Sequence, residues 1–178
     1  MSLKKTKISS AIIIFILCII FHYIYSWFPN KLFSIFFPVN ESIWEHMKLI
    51  MSSILFNSFL EYFLLKKNNI PFNNYITSVF LSGTLGIIIF LIIYLPLYYL
   101  FGENFILNII ILFITICLCE IISYYILKSE KQYFIDYISL LGLILVYIVF
   151  GILTYYPVIN DLFYDKSKEK YGINTFNI

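Results

Sequence analysis

Residues 68–102 contain no charged side chain, and comparable runs free of Asp, Glu, Lys and Arg cover 8–30, 104–119 and 137–160. About 20 apolar residues wound as a helix cross a hydrocarbon core of about 30 Å and satisfy their backbone hydrogen bonds internally. Runs of this length therefore predict membrane helices. The composition agrees: 61% of the 178 residues are hydrophobic and 12% charged, against roughly 25% charged in a soluble domain.

Polar punctuation divides the chain into five spans, at about 8–28, 41–65, 75–100, 105–127 and 135–156, with an exposed tail over 157–178. The fold class expected is an all-α integral membrane bundle of five transmembrane helices in one domain. The first apolar run is too long for a cleaved signal peptide, and no small-x-small site follows it. Tyr23, Tyr25 and Trp27 are the amphipathic rings of a membrane interface. Residues 31–37 are too few to cross and read as an interfacial segment ending at Pro38. Gly83 and Gly86, with Ser82 and Thr84, form a small-residue patch suited to close helix packing, either within the bundle or against a membrane-protein partner or a second copy. Pro96 is placed to kink the far end of the third span.

Lysine placement sets the expected orientation. Lys4, Lys5, Lys7, Lys66, Lys67, Lys128 and Lys131 fall on the side of the N-terminus, whereas Lys31 and Lys48 precede the tail on the other. Cytoplasmic loops carry the excess of basic residues, which predicts a cell-membrane protein with its N-terminus inside and C-terminus outside. The bilayer is the one partner that composition demands. All twelve basic residues are lysine, so the bidentate arginine forks that favour phosphate are absent, and nucleic-acid binding is not expected. Cys18, Cys117 and Cys119 lie within apolar runs and read as small buried hydrophobes. No cofactor is indicated.

One short stretch, residues 38–48, concentrates the chemistry: Pro-Val-Asn-Glu-Ser-Ile-Trp-Glu-His-Met-Lys. If Asn40 caps the second helix, Glu41, Glu45, Lys48 and Ser52 fall within about 60° of one another, while His46, Ser53, Asn57 and Glu61 form a second line about 80° wide. The first line is open to two readings. It is a solvated helix start with a Glu45–Lys48 ion pair, or Glu41 and Glu45 gather a cation with His46 or His22 supplying nitrogen. Two histidines are too few for a multi-histidine zinc centre.

The second line runs into the membrane, where ionisable groups face protein or water. Ser53 and Asn57 suit interhelical hydrogen bonds, and Glu61 suits snorkelling towards Lys66. Glu120, about two turns inside the fourth span, needs a partner. Ser123 and Tyr124 are the local candidates, and Glu61 shares its end of the membrane, so the two carboxyls share a proton if their helices are neighbours.

Residues 38–48 resemble a family of uncharacterised bacterial multi-pass membrane proteins with the pattern Pro-Val-Asn-Glu-Ser-x-Trp-Glu-His-x-Lys and a later Thr-Tyr-Tyr-Pro segment. The second motif reads Thr154-Tyr155-Tyr156-Pro157, followed by Leu162-Phe163, Asp165 and Tyr171-Gly172-Ile173. Where the family pattern continues Pro-Pro-His, this chain has Pro157-Val158-Ile159. The resemblance implies a domain of unknown function with both motifs at one membrane face.

Three functions follow as expectations. The first is binding of a cation or small polar solute in an outward-facing pocket formed by the Asn40–Lys48 helix start and the Thr154–Ile173 tail, with Glu41, Glu45, His46, Lys48 and His22 as its ligand-binding candidates. The second is an intramembrane enzyme using Glu45 and His46 as base and acid on a lipid-linked substrate. The third is an accessory subunit docking through the Gly83–Gly86 patch.

Overall fold

The computed structural model describes residues 2–173. Its helices are α1 (Leu3–Trp27), α2 (Lys31–Phe36), α3 (Ile43–Lys67), α4 (Tyr75–Phe101), α5 (Phe105–Lys128) and α6 (Tyr133–Tyr155), followed by a two-stranded hairpin, β1 (Tyr164–Asp165) and β2 (Lys170–Tyr171). All except α2 are long and apolar enough to cross a membrane, so the five spans expected from the charge-free runs are present. Successive spans alternate in direction. The start of α1 and the loops after α3 and α5 therefore share one end of the bundle. The α2–α3 connection, the α4–α5 turn and the tail share the other, called here the motif end.

Side-chain caps set the helix starts. Ser2, Asn30, Ser42 and Asn104 each accept a hydrogen bond from the backbone N–H three residues on, satisfying one of the donors a helix N-terminus leaves free. Two boundaries differ from expectation. Lys4, Lys5 and Lys7 lie inside α1. The cap of α3 is Ser42 rather than Asn40, because Asn40 Oδ1 is already engaged by the Ser42 N–H at 2.9 Å. Glu41 therefore precedes the helix, and the shared stripe with Glu45 does not form. Pro96 lies inside α4, which continues through it to Phe101.

Helices α1, α3, α4 and α5 form a ring in which α1 and α4 each pack on both α3 and α5. Helix α6 lies outside against α4 and is joined to the motif end by α2. The ring is close-packed at the small-residue patch. A Cβ on Gly83 would overlap the Met51 sulfur, and one on Gly86 the Cys119 sulfur. The patch is thus spent on internal contacts with α3 and α5, which removes the surface on which the docking role was expected. The cysteines are free thiols, with Cys18 and Cys119 buried. The outer faces, such as Ile8, Ile12, Ile16 and Ile19 on α1 and Leu141, Ile144, Leu145 and Ile148 on α6, are exposed and apolar. They form the lipid-facing surface of a membrane-embedded protein.

The tail, expected as an exposed segment that joins the motif at the outer face, packs directly against it. Up to residue 173 it folds back on the motif. Trp44 stacks on Phe163 with ring centroids 4.9 Å apart, the Trp44 backbone N–H donates to the Leu162 carbonyl at 2.9 Å, and the Ile173 backbone N–H donates to the Thr154 carbonyl at 3.1 Å. Gly172 has φ +55°, and a Cβ there would overlap that same Thr154 oxygen. Only glycine meets both demands.

Candidate functional site

The motif divides in space, and the division does not follow the expected stripes. Because Glu41 sits in the turn before α3, its carboxylate swings across to the histidines. His46 Nε2 lies 3.5 Å and His22 Nε2 3.7 Å from Glu41 Oε2, and the imidazole centroids are 5.2 Å apart. One potential ligand atom from each of the three lies within 4.8 Å of the others. His46 Nδ1 is 2.8 Å from the Ser42 carbonyl. A carbonyl only accepts, so Nδ1 carries the proton and Nε2 turns its lone pair towards Glu41. This is the arrangement that orients a metal-ligating imidazole. His22 Nδ1 is buried with no hydrogen-bond partner among the described residues.

The triad stands at the mouth of a cleft of about 280 Å³ between α1, α3, α4 and α5. Cys18, Leu49, Ile50 and Phe90 form its apolar floor, and Tyr94, Glu103 and Asn108 add polar groups near the triad. Sequence reasoning missed the last three. The alternation of spans was the available signal, since it sends the α4–α5 turn with Glu103 to the motif end.

Glu45 and Lys48 lie on the other side of α3, completely buried rather than solvated. Lys48, 0% exposed, donates to Glu45 Oε2 at 2.7 Å, to the Ser34 carbonyl at 2.8 Å and to Thr154 Oγ1 at 2.5 Å. All three ammonium protons are thereby used. Glu45 Oε2 also accepts the Val39 N–H at 2.9 Å, and Oε1 accepts from Thr154 at 3.0 Å. This network ties α3 to the α2 loop and to α6. With both oxygens engaged, Glu45 is removed from the side of α3 on which His46 opens, so the pair does not meet as base and acid. Thr154 lay within the second motif, but its role was not read from the sequence.

The tail supplies the support for Glu41. Asp165 Oδ2 accepts the Glu41 N–H at 3.0 Å, while Oδ1 accepts Ser167 N–H at 2.9 Å, Ser167 Oγ at 2.7 Å and Lys168 N–H at 3.1 Å. Burial acts to raise the Asp165 pKa, but the hydrogen bonds outweigh it and hold the carboxyl below its ordinary range. Asn40 Nδ2 donates to the Gly172 carbonyl at 3.1 Å. The segment that departs from Pro-Pro-His contributes nothing to the triad. Val158 and Ile159 are exposed, and α1 provides the second nitrogen through His22.

The remaining predicted polar residues lie deeper. Ser53 and Asn57 are buried; Ser53 meets the Cys18 thiol of α1, whereas Asn57 Oδ1 lacks a partner among the described residues, so the expected interhelical bond at that atom is missing. Glu61 does not snorkel to Lys66. It pairs with Lys7 of α1 at 2.5 Å, and Glu120 of α5 approaches the same ammonium at 3.3 Å. Glu61 and Glu120 therefore do converge, through Lys7, which lies buried inside α1 rather than in a flanking segment.

Neither the curated proteins nor the solved structures contain a detectable match to this chain. A family model does match, across residues 1–173, and so includes every span, both motifs and the triad. On that coverage, the chain belongs to DUF6512, a family of unknown function.

Proposed function

We propose that the protein binds one divalent transition-metal ion of the zinc type between His22, Glu41 and His46, on the membrane face away from the cytoplasm. The observation that carries this reading is the convergence of two imidazole nitrogens and one carboxylate oxygen, from α1, α3 and the turn before α3, within 4.8 Å. Tetrahedral zinc with bonds of about 2.0–2.2 Å requires ligand-to-ligand edges of about 3.4 Å. The His46–Glu41 and His22–Glu41 separations of 3.5 and 3.7 Å are close to that edge, and the two imidazole nitrogens lie within 4.8 Å of each other. Mixed nitrogen and oxygen donors suit zinc, cobalt or nickel, whereas magnesium and calcium favour oxygen alone; with the Glu41 carboxylate as third ligand the two histidines suffice for zinc, against the expectation from their number alone. Three protein ligands would leave a fourth position for water or a small polar solute, and the three residues line the cleft.

The orientation rests on the lysines that remain exposed. Lys4, Lys5, Lys66, Lys67, Lys128 and Lys131 are exposed at the end opposite the motif, against Lys31 before the tail. Lys7 and Lys48 are neutralised inside the bundle by their carboxylates and drop out of the balance. Asp161, Asp165 and Glu169 offset Lys166, Lys168 and Lys170 in the tail.

The test is equilibrium dialysis of chelator-treated, detergent-solubilised protein against zinc. One zinc per chain is expected, with affinity reduced by about 100-fold or more in His46→Gln, His22→Gln and Glu41→Gln. Equal retention by wild type and all three variants overturns the reading. For orientation, an impermeant maleimide on intact cells is expected to label Lys168→Cys and not Glu130→Cys; the reverse pattern overturns it.

A further inference from the structure

The ion cluster at the end opposite the motif is independent of the metal triad. Lys7, Glu61 and Glu120 are 5%, 4% and 5% exposed, and they come from three different helices of the ring. The Lys7 ammonium lies 2.5 Å from Glu61 Oε1 and 3.3 Å from Glu120 Oε2, and it donates to Ser123 Oγ at 2.5 Å. Two carboxylates against one ammonium leave one uncompensated negative charge inside a membrane bundle. Such a site protonates or binds a cation rather than carry that charge.

The surrounding groups do not supply the compensation. From α4, the titratable group facing the carboxylates is the Tyr75 phenol, whose hydroxyl donates to the Ser58 carbonyl. From α5 it is the Cys119 thiol beside Glu120. Neither carries positive charge. Helix α6 packs on α4 and α2, and its Asp136 is engaged by Thr77.

A second observation points the same way. Asn57 Oδ1, one turn from Glu61 on the same face of α3, is buried without a donor among the described residues. A hydrogen-bond donor is therefore missing beside the cluster, as well as a positive charge within it. A protonated carboxyl corrects both, since it loses its charge and gains an O–H donor.

We propose that Glu61 and Glu120 together bind one exchangeable proton beside Lys7 at neutral pH, forming a membrane-buried proton site distinct from the metal triad. The pair titrates as a unit, so the proton belongs to both carboxyls.

Infrared difference spectroscopy of the full-length protein in detergent tests this through the carboxylic-acid C=O band. Wild type is expected to show a band at neutral pH that shifts in D2O. Glu61→Gln and Glu120→Gln are each expected to lose it, because a single carboxylate opposite Lys7 is already neutralised. Lys7→Met is expected to strengthen it roughly twofold, since both carboxyls then protonate. The wild-type spectrum does not depend on any variant folding. Absence of the band in wild type overturns the proposal. So does its disappearance when choline chloride is replaced by sodium chloride, which would identify the compensating charge as a sodium ion.

Discussion

Replacing Lys48 with methionine tests whether the second half of the motif is a buried structural lock. The side chain is fully buried and its ammonium donates to Glu45, Thr154 and the Ser34 carbonyl. Methionine fills similar volume but leaves the Glu45 carboxylate uncompensated and the Ser34 carbonyl without its donor. Breaking one side of a buried pair costs about 3–5 kcal/mol. Glu45→Gln leaves the opposite charge stranded, with a cost of the same order. In the double variant Glu45→Gln/Lys48→Met both charges are gone, leaving chiefly the orphaned carbonyl, worth about 1–3 kcal/mol. The double variant is therefore expected to be more stable than either single one, by about 2 kcal/mol. Unfolding in mixed micelles, followed by the emission of Trp44 where it stacks on Phe163, measures all four corners of the cycle. A Lys48→Met cost below about 1 kcal/mol, or additive single effects, would refute the reasoning.

Three further outcomes follow. Asp165→Ala removes the acceptor that holds the Glu41 N–H and is expected to weaken zinc binding about 10- to 100-fold without changing the 1:1 stoichiometry; unchanged affinity in equilibrium dialysis would show that the tail does not position Glu41. Gly172→Ala forces a side chain into a left-handed conformation and against the Thr154 carbonyl, so a loss of about 1–3 kcal/mol and faster proteolysis of the tail are expected. The Asp165 carboxyl has a depressed folded pKa, so its stabilisation is complete above the unfolded value of about 3.9 and is lost as pH falls through the lower folded value. Tail docking is therefore expected to hold from neutral pH down to about 4 and weaken below it, with that dependence abolished in Asp165→Asn; tail proteolysis by an acid-active protease is the readout.

The five spans were legible because charge-free runs have few other physical solutions, and residues 38–48 because so many polar groups are packed into an otherwise apolar chain. The start of α3 was not legible. Periodicity placed Glu41 on the stripe of Glu45 and Lys48 by assuming that α3 began at Asn40; the Ser42 cap frees Glu41 to turn the other way. The Glu45–Lys48 pair was misjudged as solvated because the groups that close over it, Ser34 and Thr154, are brought in by α2 and α6 from distant parts of the chain. The same holds for Lys7, which meets Ser123 across 116 positions and looks like an ordinary flanking lysine in the sequence. His22 was a candidate by type alone. Only the packing of α1 on α3 sets its ring 5.2 Å from that of His46.

X-ray absorption at the zinc edge of the loaded, full-length protein tests the metal reading most directly. The expected first shell contains nitrogen and oxygen alone at about 2.0–2.2 Å, with the outer-ring scattering of two imidazoles. A sulfur scatterer at about 2.3 Å, as a site drawn instead onto Cys18 would give, or the loss of all bound zinc on exchange into metal-free buffer, would contradict it.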